Sequence, residues 1–132
     1  MERLILICVG GALGTGLRYL ASGLAARWLG ADFPYGTLIV NVVGSFLIGL
    51  IQEIGTASLL IPDTTRLFLT VGIMGGLTTY SSFSYETIRL AQMGAWGQAW
   101  VNVLVTTALC LSVCFLGIAA AAFAACSRAR WR

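Results

Sequence analysis

Four long apolar runs, joined by loops too short to fold on their own, decide what this chain can become. They cover Leu4 to Leu29, Tyr35 to Gln52, Leu67 to Tyr85 and Trp96 to Ala125. Crossing a hydrocarbon core takes about 20 helical residues, which is the scale of each run. The last is longer than a crossing needs, so it is expected to tilt or to project. Of 132 residues, 58% are hydrophobic and 10% charged, and mean hydropathy is +0.90. A soluble domain of this size would need far more polar surface. The reading is an all-α, multi-pass integral membrane protein, one four-helix domain over residues 1–132. The first run extends far beyond the apolar core of a signal peptide, and only Arg3 beside Glu2 precedes it. It is therefore read as a helix of the mature protein.

The composition excludes several functions. Without histidine, there is no His-ligated metal, haem or histidine base. Cys8, Cys110, Cys114 and Cys126 sit in or at the ends of apolar runs without a CxxC pair, and are read as small hydrophobes. No GxxxxGK[ST] loop is present, which argues against an ATP-driven pump. Nothing points to an enzyme or to nucleic acid. The net charge of +3 is carried by arginines alone. With four crossings, Arg3, Arg66, Arg128, Arg130 and Arg132 share one side, and Arg27 and Arg89 the other. Without the three tail arginines the sides nearly balance, so the preference for termini inside is weak. A weak bias permits insertion in both orientations and hence an antiparallel dimer.

One segment is out of place in lipid. Gly75 to Glu86 reads GGLTTYSSFSYE, with a glycine pair, five hydroxyls and three aromatics. Polar or non-helical backbone at membrane depth is tolerated where it is buried in protein or lines a cavity. The glycine pair and the two threonines after it predict a helix break at Gly75–Gly76, exposing carbonyls and N–H groups that can meet a cation and an anion. Beyond the break, Thr79, Ser82 and Glu86 share a helix face, with Tyr80 and Phe83 on an adjacent one. The alternative is that these hydroxyls bond back to their own helix and the rings only pack.

Other helices carry polar residues that bear on the same question. Thr37, Asn41 and Ser45 are spaced by four and form one stripe, either an interhelical contact or a pore lining. Arg18 lies inside the first run. It either snorkels to the headgroups or faces a water-filled vestibule that concentrates anions. Gly10, Gly11, Gly14 and Gly16 predict close helix packing. Asn102, Thr106, Thr107 and Ser112 on the last helix read equally well as packing or as lining.

GTLIVN at Gly36 to Asn41 and GGLTTYSSFSYET at Gly75 to Thr87 resemble the Fluc (CrcB) family of bacterial fluoride channels. GGALGTGLRY at Gly10 to Tyr19 agrees, and the resemblance covers essentially the whole chain. It implies an antiparallel, dual-topology homodimer in the inner membrane, in contact with lipid, that lets fluoride leave the cell passively and relieves its toxicity. It further implies a structural sodium ion at the dimer interface, held by the backbone carbonyls of Gly75 and Thr78. The family's fluoride-lining phenylalanines fall at Tyr80 and Phe83, its pore asparagine at Asn41, its hydroxyl track at Ser81, Ser82 and Glu86, and its first-helix arginine at Arg18. Thr37 joins the path through the Asn41 stripe. Two departures stand out: Tyr80 replaces the more usual phenylalanine, and Ser82 a common threonine. The phenol adds a hydrogen-bond donor to a path otherwise lined by positive ring edges.

Two rival classes make different demands. A small four-helix multidrug exporter needs a carboxylate inside the membrane for cations and protons, whereas Glu53 and Glu86 lie at span ends and the first-helix charge is Arg18. A membrane scaffold has no use for a broken helix with a polar face.

Overall fold

The computed structural model describes residues 1–57 and 61–130. Ser58, in the loop expected before the third crossing, and Arg132, counted in the charge balance, lie outside them. The described chain is helical: α1 (Glu2–Leu29), α2 (Tyr35–Ala57), α3 (Asp63–Leu67), a π-helical segment (Phe68–Met74), α4 (Gly75–Leu77), α5 (Tyr80–Gln92) and α6 (Trp96–Arg130). Gly30, at φ 88°, ends α1, and Gly94, at φ 81°, lies in the turn before α6, both in the left-handed region that glycine enters freely.

Three unbroken helices, α1, α2 and α6, are long and apolar enough to cross a membrane. The remaining crossing, expected at Leu67 to Tyr85, is divided between the α3–α4 stack and α5. Leu13 and Leu17 on α1, and Leu104 and Phe115 on α6, are exposed. Helices apolar on their outer faces suit lipid, not water. At 35 residues and 1.5 Å per residue, α6 is about 50 Å long, well beyond a hydrocarbon core of about 30 Å.

Glycine seams hold the bundle. A side chain at Gly14 would strike the Ile73 carbonyl, and one at Gly10 would come within 2.9 Å of the Phe68 carbonyl and 3.0 Å of the Gly72 Cα. The first helix thus lies backbone to backbone against the π-helical segment and α4. On the other side α2 packs most extensively on α6, where Gly49 meets the Cys114 carbonyl and Gly117 the Phe46 carbonyl. In lipid such close contact supplies the packing energy that the hydrophobic effect supplies in water. Val40, Met74 and Leu77 form the small buried core, with Ala21, Leu47 and Ile73 against it.

The break lies three residues beyond the expected place. Gly75, Gly76 and Leu77 remain helical, and the chain leaves the helix at Thr78 (φ −78°, ψ 153°) and Thr79 (φ −152°, ψ 110°). Gly76 serves close approach, since a Cβ there would lie 2.5 Å from the Gly11 carbonyl, whereas Gly75 is exposed and a Cβ on it would meet only the Thr70 carbonyl at 3.9 Å. The β-branched threonines favour extended backbone and take the break instead.

Candidate functional site

The break exists because a neighbouring helix satisfies the backbone it exposes. Asn41 of α2 accepts a 2.7 Å hydrogen bond from the Thr79 N–H through Oδ1, and its Nδ2 donates to the Thr79 carbonyl at 3.1 Å. One carboxamide thus replaces both main-chain partners that Thr79 would have in a helix. Gly44, one turn further along α2, leaves room for the Thr78 methyl, which a Cβ there would strike.

Thr79 also starts α5. Its hydroxyl oxygen accepts from the Ser82 N–H at 3.2 Å, an N-cap, and donates to Ser82 Oγ at 3.0 Å. Ser81 Oγ lies 3.2 Å from the same hydroxyl. This small hydroxyl cluster sits at the positive end of the α5 dipole. Tyr80 and Phe83 are adjacent, with ring centroids 5.4 Å apart and planes at 45°. Their exposure differs sharply: Tyr80 is 80% exposed and Phe83 8%. One turn on, Thr37 of α2 donates to Glu86 Oε1 at 2.8 Å, while Glu86 Oε2 is buried without a hydrogen-bond partner among the described residues.

These elements frame a cavity of about 420 Å³, enough for roughly a dozen waters at about 30 Å³ each. Asn41, Ser45, Thr78, Thr79, Tyr80 and Phe83 line it from one side, and Thr106, Thr107 and Cys110 of α6 from the other. No charged side chain is among the described residues that line it. Its polar groups are an amide and hydroxyls, which can donate to an anion without holding it by a fixed charge. The Asn41 amide has one N–H left after bonding Thr79.

The carbonyl side of the break has its own character. Thr78 N–H bonds the Met74 carbonyl at 2.9 Å, and Thr79 N–H turns away to Asn41. Among the described residues no backbone N–H reaches the Gly75 carbonyl, and Gly75 is exposed. Free carbonyls at a helix end are the groups that hold hard cations such as sodium.

A family profile described as "CrcB-like protein, Camphor Resistance (CrcB)" matches residues 5–118. The chain belongs to the CrcB family. A relative from Geobacter sp. (strain M21), named fluoride-specific ion channel FluC, is 51% identical over 118 residues, covering 89% of this CrcB chain and 95% of the relative. A protein of the same name from Anaeromyxobacter dehalogenans is 50% identical over 131 residues, 99% of this chain and 98% of its own. Another from Sorangium cellulosum is 49% identical over 121 residues, 92% and 95% respectively.

The sequence candidates of this CrcB protein divide in space. Asn41, Tyr80 and Phe83 meet at the cavity, with Ser81 and Ser82 tied to its Thr79 wall. Thr37 and Glu86 form a separate pair one turn away. Arg18 is half-buried, does not line the cavity, and has no hydrogen bond or ion pair among the described residues. Sequence reasoning passed over Thr79 as the cap and Cys110 as a lining residue. Thr79 had a legible signal, a threonine three residues before Ser82 at a helix start; Cys110 had none beyond its place on α6.

Proposed function

We propose that this protein is a fluoride-selective channel, the activity that the name fluoride-specific ion channel gives its half-identical relatives, and that it lets cytoplasmic fluoride leave passively. The observation that carries the reading is the uncharged cavity at the helix break, with the spare N–H of Asn41, hydroxyls and the rings of Tyr80 and Phe83 around it. A small, strongly hydrated anion must replace its water with other donors as it enters protein. Neutral donors do so without trapping the ion, and positive ring edges extend the path. Hydrogen fluoride is a weak acid that enters cells neutral and ionises inside; a passive anion path then drains it. Ser81, Ser82 and the Thr37–Glu86 pair continue the polar face beyond the rings, and Arg18 acts at a distance by raising the local anion concentration. A cation exporter would need a carboxylate in the cavity, and none of its described lining residues is acidic.

The working form is an antiparallel, dual-topology homodimer in the inner membrane. Support comes from the arginines, which nearly balance once the three of the tail are set aside, and from the exposed Gly75 at the break, since an unpaired carbonyl at membrane depth must be covered by protein or met by an ion. A sodium ion held by the Gly75 and Thr78 carbonyls, shared between two copies, answers that need; it would pin the two breaks together and carry no flux.

Liposomes loaded with fluoride and bearing the protein are expected to empty rapidly, and chloride-loaded ones to hold their contents. Equal chloride efflux would sink the selectivity. Single cysteines placed in a cysteine-free background on the exposed face of the break are expected to cross-link copies of opposite orientation; cross-links between parallel copies alone would remove the dual-topology assembly.

A further inference from the structure

The cavity accounts for Asn41 but leaves a second buried amide without a role. Asn102 of α6 is 2% exposed, with its side chain fully buried. Its Nδ2 donates to Thr87 Oγ1 at 2.8 Å, and its Oδ1 accepts from Thr106 Oγ1 at 3.2 Å. The Thr87 hydroxyl in turn donates to the Phe83 carbonyl at 2.7 Å. Each proton in this chain has a fixed direction, from Thr106 through Asn102 and Thr87 to the backbone of Phe83. Sequence periodicity could not tell this amide from ordinary packing.

The location gives it meaning. The 13-residue α5 packs mainly on α6 and only thinly on α2, and its N-terminal connection to α4 is the extended break. Its C-terminal end is tied to α6 by the Gly94 turn, where the Ala95 N–H bonds the Leu90 carbonyl at 3.0 Å, so main-chain bonding leaves only the N-terminal half to be placed by side chains. Beside the Thr37–Glu86 bond from α2, two carboxamides place it: Asn41 of α2 holds Thr79 just before its start, and Asn102 of α6 holds Thr87 two turns later. Phe83 lies midway between these anchors. A one-residue slip would turn α5 by about 100° and shift it about 1.5 Å, taking the Phe83 ring out of the cavity.

We propose that Asn102 is a positioning residue that fixes the register of α5, and through it the ring of Phe83 in the ion path. The proposal rests on the channel reading above. Burying an amide in the bundle is justified only where its partners are met, and here both ends are met by residues that lead to the pathway.

The test uses the full chain, purified and reconstituted, with 4-fluorophenylalanine at Phe83 as a probe independent of flux. Asn102→Leu and the milder Thr87→Val are expected to shift or split the Phe83 fluorine resonance. They should also slow fluoride efflux at least about tenfold, the effect of 1.4 kcal/mol. Thr87→Ser, which keeps the hydroxyl, is expected to preserve both. The double variant should be no slower than the worse single one, because both break the same chain. An unchanged resonance and wild-type efflux in Asn102→Leu or Thr87→Val overturn the proposal. So does equal loss in Thr87→Ser and Thr87→Val, which would mean the packing of Thr87 and not its hydroxyl matters. If the native protein releases no fluoride, the channel reading fails, while the fluorine resonance still decides whether Asn102 sets the position of Phe83.

Discussion

Asn41→Asp is expected to slow fluoride efflux from liposomes by about one to two orders of magnitude, the kinetic equivalent of the 1–3 kcal/mol that an unmet buried polar group costs. Its geometry makes the effect specific. The carboxylate can still accept from the Thr79 N–H, but its second oxygen would face the Thr79 carbonyl, where the amide now donates at 3.1 Å. Two oxygens cannot share that contact unless the acid keeps a proton. If it ionises, it adds a negative charge to the wall of an anion cavity that has none. If it stays protonated, it retains one donor and gives up the spare N–H offered to the ion. Both states impair the path. Asn41→Ala should be worse for folding, because both Thr79 groups lose their partner. Efflux is to be measured beside thermal unfolding in detergent: a flux loss in Asn41→Asp with near-native unfolding places Asn41 on the path, and native flux removes it.

Gly14→Ala is expected to destabilise the protein by about 3 kcal/mol or more, at the upper end of overpacking penalties. The added methyl would strike the Ile73 carbonyl and come within 2.9 Å of the Leu77 N. Both are main-chain atoms in helical segments that cannot swing aside as a side-chain tip can. Relief requires moving α1 from the π-helical segment and α4, which loosens the support of the break. Gly16→Ala, on the same helix, meets nothing within 4 Å and gains the better helix propensity of alanine. The pair is therefore a matched comparison in one helix. Unfolding temperatures in detergent should fall for Gly14→Ala and hold for Gly16→Ala; equal values would show that α1 does not depend on backbone contact at Gly14.

Sequence reading went furthest where one residue type has few uses in lipid. An amide at Asn41 and a hydroxyl-rich segment at Thr78 to Ser84 cannot be left facing acyl chains, so each was legible as turned into protein or a cavity, while their sharing of one site was implied by the family resemblance alone. Apolar length located α1, α2 and α6 for the same reason. The position of the break was not legible, because glycine has two uses that sequence does not separate: releasing a helix and admitting a neighbour. At Gly76 the neighbour is the α1 backbone at Gly11 and Thr15, far away in sequence, and only tertiary contact reveals it. The role of Asn102 was hidden for a related reason, since its partner Thr87 sits on another helix at a distance set by the turn at Gly94.

The Thr79 amide hydrogen has a consequence of its own. In ordinary helices an amide is shielded by its own strand of chain, so its exchange with deuterium reports fraying. Here the shield is a side chain carried by α2. Deuterium uptake at Thr79 therefore measures how often α2 and the break separate, giving a built-in gauge of opening at membrane depth that needs no label.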